Sequence, residues 1–375
     1  MRAAYKLLVC LLVVALWGLL VSCSREAEPP SDPRDVVELR WIKAYERESR
    51  ADVETGLLWG LSLLGAKLPA GQPVLTWHDD RVTVDLARAD LVPAARPAWR
   101  QLVAEIKTSG EYRAVGALDI GRFLALSLGD ADRYYALTAV PPNYSQARAR
   151  YRFEPRAAAV LRSAVARGHR RIEISIADAA EQIAFVAFEG EGRLDDGSFA
   201  AQEIEVLDTL PNGQLRFALY GLDGALKRGA SPALTAAGKP AKCMWCHESG
   251  LQSTLMDYPA APGHLDRSGL DARISRHRAT LSNYRKRLDT QIDYAAKQDH
   301  TFAELLYLTF EEPSLERLAS EWTMPRERAA ELLKDMPTHA HAEFPWLGER
   351  LYRRVDVDGL APYVVTSAPA SVREP

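Results

Sequence analysis

The chain has 375 residues, 26% of them charged, and a formal net charge of −3. A protein that binds nucleic acid needs a clear basic excess, so this composition excludes a nucleic-acid partner. The length is sufficient for two domains with sizeable cores. The four cysteines, Cys10, Cys23, Cys243 and Cys246, are too few and too unevenly placed for a disulfide framework.

The first 22 residues predict a secretion signal. Arg2 and Lys6 form a short basic segment before an apolar run over residues 7 to 20. This run is too short to span a bilayer as a helix. Leu20-Val21-Ser22-Cys23 resembles the lipobox of bacterial lipoproteins. The alternative is an ordinary signal peptide with a chance cysteine near the cleavage site.

The lipobox resemblance implies that Cys23 becomes the acylated N-terminus and anchors the protein in a membrane. Ser24 resembles the residue found in lipoproteins sorted to the outer membrane. The expected location is therefore the cell envelope, on an outer membrane facing the periplasm or the exterior. Residues 23 to 33 are proline-rich and predict an extended tether.

Residues 34 to 150 predict a mixed N-terminal α/β part. Helical spacing predicts two helices within residues 34 to 68, the first on Val36, Val37, Trp41, Ile42 and Tyr45, the second on Leu57, Leu58, Leu61 and Leu64. A hairpin is expected over residues 74 to 86, turning at His78-Asp79-Asp80. A histidine beside two aspartates could bind a metal, but at a hairpin tip a solvated turn is the favoured interpretation. An amphipathic helix should follow around Trp99, and a strand over residues 133 to 140.

Residues 151 to 262 predict a central antiparallel sheet. Ile172, Ile174 and Ile176 alternate with polar residues, as in a half-buried strand. Pro211-Asn212-Gly213 predicts a hairpin, because Asn-Gly readily adopts the left-handed turn conformation. The sheet should lead directly into the Cys-Met-Trp-Cys-His segment.

Residues 263 to 375 predict a helical C-terminal part. Apolar residues recur at steps of three and four from Leu270 to Ala295, with His277 among them, which predicts a helix of about seven turns. Shorter helices are expected over residues 305 to 310, 315 to 322 and 327 to 336. The whole fold is therefore expected to be α+β.

Cys243-Met244-Trp245-Cys246-His247 carries the chemistry of the chain. Structural zinc would need two further ligands, and no suitably spaced pair is present. Thiol-disulfide exchange would place the pair at the start of a helix after a buried strand. Covalent haem uses all three residues: two thiols bond to the porphyrin, and the adjacent imidazole is the proximal iron ligand.

The motif resembles the haem attachment site of c-type cytochromes, so the chain resembles a bacterial monohaem c-type cytochrome lipoprotein. This resemblance implies one covalent haem c, attached at Cys243 and Cys246, with His247 as axial ligand. We expect a backbone carbonyl to hold the other nitrogen of His247. Met244 and Trp245 are expected against the haem edge.

A weaker resemblance involves the strands before the motif. The order Asp196-Gly197-Ser198, Gln202-Glu203, a hairpin and Asp223-Gly224 is similar to cytochrome c′-beta and to the lysine-crosslinked cytochromes that oxidise hydroxylamine. Gln202 stands where the crosslinking type has lysine, so that activity is not expected. In those families the chain ends soon after the motif, whereas here residues 248 to 375 follow it.

The sixth iron ligand decides what such a haem does, because a strong ligand gives an electron carrier and an open position binds NO or CO. The candidates are His277, Met336 and Met256, with Met324 and His264 as further options; an open site is the alternative. His277 has the competing interpretation of a hydrogen-bonded core residue. His339-x-His341-x-Glu343 is a candidate metal trio or a plain surface loop.

The sequence therefore predicts a membrane-anchored, exported haem protein for one-electron transfer with a redox partner in the envelope, an electron carrier rather than an enzyme. The alternatives are a five-coordinate haem that binds or senses NO or CO, and a thiol-disulfide oxidoreductase.

Overall fold

The computed structural model describes residues 31–160, 162–163, 165–247, 250–252, 255–257, 261–296 and 302–366. The predicted signal segment and Cys23 lie outside these residues. Within the described ranges, no helix combines the length and apolar character needed to cross a membrane.

The N-terminal part is a four-stranded sheet surrounded by helices. The strands are β1 (Val36–Arg40), β2 (Leu75–His78), β3 (Arg81–Asp85) and β4 (Leu118–Asp119), in the order β2-β3-β1-β4. Only β1 and β4 pair in parallel. The helices are α1 (Arg50–Leu63), α2 (Arg96–Thr108), α3 (Gly110–Val115), α4 (Ile120–Leu128), α5 (Ala131–Leu137) and α6 (Tyr144–Arg148).

The first predicted helix, over residues 36 to 45, is wrong: this segment forms β1 and an irregular stretch. Val37 pairs with Val84 and Leu39 with Val82 across β3, and all four side chains are fully buried. Adjacent valines fit this pleated, half-buried surface better than a helix. The hairpin turning at Asp79 and Asp80 and the helix at Trp99 are confirmed.

The strand predicted over residues 133 to 140 is also wrong, because this segment begins with helix α5. The side chain of Asp130 accepts a hydrogen bond from the backbone N–H of Arg133 and caps the helix. Tyr134 and Tyr135 favour strands in general, but here both are buried against the main core. Capping and burial together outweigh their strand preference.

The central antiparallel sheet is confirmed. Its strands are β5 (Ala158–Val160), β7 (Arg170–Ile174), β8 (Ala184–Glu191), β9 (Ala200–Thr209) and β10 (Leu215–Gly221), in the order β10-β9-β8-β7-β5; β6 (Arg162–Ser163) pairs separately with β11 (Leu255–Asp257). The hairpin between β9 and β10 turns at Gly213, whose φ is +85°. The Asn212 amide donates to the carbonyls of Ser62 and Ala66, which ties this turn to the end of α1.

The remaining helices are α7 (Pro240–His247), α8 (Arg267–Arg285), α9 (Phe302–Glu311), α10 (Leu315–Glu321), α11 (Arg326–Leu333) and α12 (Arg354–Val357). Leu270, Ile274, His277 and Leu281 form the buried seam of α8, as the spacing predicts. The helix is shorter than predicted and ends at Arg285. Beyond it, the side chains of Thr290 and Asp293 accept hydrogen bonds from nearby backbone N–H groups, which favours turns over helix.

The fold is α+β, as the sequence predicts. One apolar cluster draws side chains from all three parts of the chain, including Val37, Val206, Trp245 and Phe310. Helix α7, which carries the Cys-Met-Trp-Cys-His motif, is therefore packed into the largest apolar cluster of the described residues.

A buried ionic network joins the C-terminal helices to the N-terminal part. Glu321 on α10 pairs with Arg122 on α4 at 3.1 Å and with Arg354 on α12 at 2.9 Å. Arg122 also lies 2.9 Å from Glu111, and Arg317 lies 2.8 Å from Asp119. Burial by itself would raise the pKa of Glu321, but the charges of Arg354 and Arg122 hold that pKa at about 2.

Replacing Glu321 with alanine should destabilise the fold by about 3 to 5 kcal/mol, because two guanidinium groups would remain buried without their shared carboxylate. Urea unfolding followed by circular dichroism measures this. Arg326→Gln is the matched control, since the pair Arg326–Glu316 is mostly exposed and is expected to contribute less than about 1 kcal/mol. Equal effects of the two substitutions would contradict the interpretation.

Glu311 should make the protein less stable as pH rises. Burial raises the pKa of Glu311 from its ordinary value of 4.5 to about 7, against the lowering effect of Arg354. The folded state therefore keeps this proton over a range in which the unfolded state has lost it, so stability is lost between pH 4.5 and 7. Glu311→Gln should reduce this decline, measured as the difference between urea midpoints at pH 5 and pH 8. An identical pH dependence in wild type and variant would refute it.

Candidate haem site

The three residues of the motif share one face of helix α7. Cys243, Cys246 and His247 are separated by three and four positions, so their side chains lie together on one side of the helix. Met244 and Trp245 lie on the opposite side and are buried in the main core, the Trp245 ring 5.8 Å from that of Tyr307. The motif is thus helical, and Met244 and Trp245 are not among the residues at the surface of the cavity beside this helix.

A cavity lies beside this face of α7. The central sheet forms its floor, and α7 and α8 contribute its walls. The empty space is about 1130 Å³, including the part open to solvent. The residues at its surface are Val165, Arg170, Ile172, Phe185, Ala187, Glu205, Val206, Leu207, Phe217, Ala218, Leu219, Ala237, Pro240, Lys242, Cys243, Cys246, His247, Leu251, Gln252, Leu270 and Ile274.

The floor of the cavity is apolar along most of its length. Strand pairing places Ile172 beside Ala187, and Phe185 and Phe217 on either side of Leu207. On the α8 wall, Leu270 and Ile274 pack in one cluster with Ile172. Such a surface suits a flat, hydrophobic ring system, because burying it would remove apolar area from water on both partners.

One end of the same sheet face carries charge. Arg170 on β7 forms ion pairs with Glu189 on β8 and, at 3.2 Å, with Glu205 on β9. Glu203 on β9 lies opposite Glu189, in the same row as Arg170, and pairs with Lys227. Burial raises the pKa of Glu189 and of Glu205, and the charge of Arg170 acts in the opposite direction. The cavity therefore has an apolar centre and a polar end.

The imidazole of His247 is positioned for metal binding. Its Nδ1 lies 3.2 Å from the carbonyl oxygen of Gly250 and donates to it, which leaves the lone pair on Nε2. The ring centroid is 5.4 Å from that of Phe217 on the cavity floor. Burial lowers the pKa of His247, so the neutral ring that can bind a metal is favoured. Gly250 supplies the carbonyl acceptor that the sequence predicts without identifying.

The two thiols differ in environment and are not joined by a disulfide. Cys243 packs against the cluster of Leu219, Ala230 and Ala237, and Cys246 is exposed. Burial raises the pKa of the Cys243 thiol, and the charge of Glu205 acts in the same direction. Nucleophilic thiols have lowered pKa values, commonly at helix N-termini, whereas Cys243 and Cys246 are the fourth and seventh residues of α7.

The structure does not bring the described sixth-ligand candidates to the cavity. His277 is buried on α8, with Nε2 3.0 Å from the Ser175 carbonyl oxygen, and is not among the residues at the cavity surface. This is the hydrogen-bonded core residue of the competing interpretation. Met336 and Met324 pack in a separate C-terminal cluster with Trp322. The Met256 side chain lies outside the described residues.

The other histidine candidates have local roles. His264 contacts the carbonyl of Pro262, and His78 is exposed in its turn. His341 accepts backbone hydrogen bonds at Nδ1 from Glu343 and Phe344, while His339 Nε2 lies 2.8 Å from Glu312. No group of three or more metal-binding side chains is found in the described ranges.

Sequence reasoning missed the charged end of the cavity and the α8 wall. Arg170 lies two residues before Ile172, so strand alternation places both on one face. The same rule places Glu203 and Glu205 together on β9. Strand alternation thus predicts which side chains share one face of the sheet. Only the structure shows that this face and the Cys-Met-Trp-Cys-His motif line the same cavity.

Comparison with known proteins identifies no relative of this chain. No protein-family model matches the chain, and neither a curated protein nor a solved structure matches it significantly.

In protein without bound haem, iodoacetamide at neutral pH should modify Cys246 at least about tenfold faster than Cys243, because the buried thiol forms less thiolate. Peptide mapping by mass spectrometry measures both rates. Cys246→Ser should remove the fast phase, and Cys243→Ser, the matched variant, should retain it. A faster reaction at Cys243 would support the thiol-exchange alternative.

Proposed function

We propose that this chain is an exported, lipid-anchored protein that carries one haem c and transfers single electrons. The observation that carries the proposal is the common orientation of Cys243, Cys246 and His247 toward an apolar cavity, with His247 Nδ1 held by the Gly250 carbonyl. Two thiols and a neutral imidazole are the donor set that covalent haem requires.

The residues around the cavity fit this group. Cys243 and Cys246 would form the thioether bonds, and His247 would bind the iron through Nε2. The apolar floor and the α8 wall would exclude water, which raises the reduction potential of a bound haem. When bound, haem supplies reversible one-electron oxidation and reduction of its iron.

The location follows from the N-terminal sequence. Acylation of Cys23 would hold the protein on the outer membrane, facing the periplasm or the exterior, where haem c is attached after export. The partner would be a redox protein of the envelope. In this role the protein is an electron carrier and not an enzyme.

Binding of NO or CO by a five-coordinate haem is a second candidate. It is favoured by the cavity surface itself, where among the described residues His247 is the only histidine and no methionine is present. The candidate in the α8 seam, His277, uses its Nε2 at the Ser175 carbonyl.

Co-expression with the haem c maturation machinery should give a mature protein, starting at Cys23, whose intact mass exceeds that of the same polypeptide without haem by one haem. Cys243→Ser and Cys246→Ser should each lose one thioether, seen as a shifted α-band of the pyridine haemochrome. His247→Ala should abolish normal attachment, while His264→Ala, a histidine outside the cavity, should load fully. A wild-type polypeptide without haem or iron would refute the proposal.

The reduced spectrum with and without CO separates the two candidate functions. An unchanged low-spin spectrum supports the electron carrier, and a shifted Soret band supports the gas binder. His277→Ala should leave either spectrum unchanged, because this side chain is held by Ser175. A change confined to this variant would assign His277 to the iron.

A further inference from the structure

A second cleft lies next to the haem cavity, on the other side of the segment that follows His247. It is bounded by the C-terminal half of α8 and by the chain from residue 288 to residue 295, with about 1020 Å³ of empty space, including the part open to solvent. Gly250, Leu251 and Gln252 form its third side. Leu251 and Gln252 also lie at the surface of the haem cavity, so these residues separate the two spaces.

The lining of this cleft is basic. Arg278 and Arg285 lie seven positions apart on one stripe of α8, and Lys286 directly follows the end of the helix. Asp293 is the only carboxylate among the described lining residues, and it accepts backbone hydrogen bonds from Ala295 and Ala296. The cleft is therefore cationic in a protein whose formal net charge is −3.

Arg285 is held deep in the cleft. Its Nε donates to the Gly213 carbonyl at 2.8 Å, and its guanidinium carbon lies 4.4 Å from the centre of the Tyr294 ring. Burial lowers the pKa of Arg285 to about 10, so the group stays cationic at neutral pH. A positive charge in a poorly hydrated setting attracts an anion more strongly than the same charge in water.

We propose that this cleft binds a small anionic molecule through its carboxylate or phosphate groups. The planar guanidinium groups of Arg278 and Arg285 suit the paired oxygens of such groups, and Lys286 adds a mobile point charge. Ser282 supplies a neutral hydroxyl on the same stripe. The concave shape favours a small molecule over a flat protein surface.

The wall between the two spaces would transmit binding to the haem site. Arg278 Nε donates to the Leu251 carbonyl at 2.5 Å, and the neighbouring Gly250 carbonyl holds His247 Nδ1. An anion that engages Arg278 would shift the segment that orients the imidazole. This coupling rests on the proposed haem function, whereas the binding of the anion does not.

Isothermal titration of the purified full-length protein with inorganic phosphate, and separately with citrate, tests the site at low ionic strength. We expect saturable binding of at least one probe, weakened about tenfold or more by Lys286→Gln and by Arg278→Gln. Arg276→Gln and Arg287→Gln are the matched controls. Arg276 lies on α8 and Arg287 lies two residues beyond its end, and both are exposed and outside the cleft lining. They should change affinity less than about twofold.

The titrations distinguish three sources of the anionic group: a phosphate, the carboxylates of a small molecule, and the carboxylates of haem. Binding of phosphate alone or citrate alone would identify the preferred group. Binding to the haem-free form that disappears in the haem-loaded form would assign the cations to the carboxylates of haem itself and overturn the proposal. Failure of both probes to bind, or equal losses in the control variants, would also overturn it.

The coupling has its own readout. In haem-loaded protein, saturating probe should shift the Soret band or the reduction potential, and Lys286→Gln should require more probe for the same shift. If the protein carries no haem, the titration still decides whether the anion binds, so failure of the haem proposal is distinguishable from failure of this one. Anion binding without a spectral or potential shift would refute the coupling.

Discussion

The packing of Met244 and Trp245 into the main core determines how the rest of the site is arranged. Because these residues lie between the two cysteines, burying them turns Cys243, Cys246 and His247 outward together. Helix α7 has little freedom to rotate without withdrawing an indole from the core. The direction of the reactive face is therefore set by an apolar contact on the opposite side of the helix.

Two kinds of support meet at α7. On its cavity side, the sheet offers an apolar floor with one charged end, so a ring bound there would find a hydrophobic centre and a polar margin. On its other side, α9 contributes Tyr307 and Phe310 to the same core. The helices that follow the motif thus bury the back of the motif helix through α9 and line the cavity through α8.

Local patterns in the sequence were sufficient where a short segment determines its own structure. This class includes the turn at Gly213 and the buried seam of α8. It also includes the common face of Cys243, Cys246 and His247 on α7. Residues 36 to 45 and 133 to 140 were misassigned because a short apolar run fits the helical and the strand period equally well. Pairing with β3 makes the first segment a strand, and the cap at Asp130 makes the second a helix. The contact between His247 and the Gly250 carbonyl involves a backbone atom, which no side-chain pattern identifies.

The ionic network has a consequence for the order in which the molecule assembles. Arg40 donates to the Ser320 carbonyl, 280 positions later, and Arg122 pairs with Asp358, 236 positions later. Until the last helices are synthesised, Arg40 and Arg122 lack the acceptors at Ser320, Glu321 and Asp358, and of the described residues in the N-terminal part only Glu111 pairs with Arg122. The N-terminal part therefore completes its buried ionic network only when the C-terminal helices are available to it.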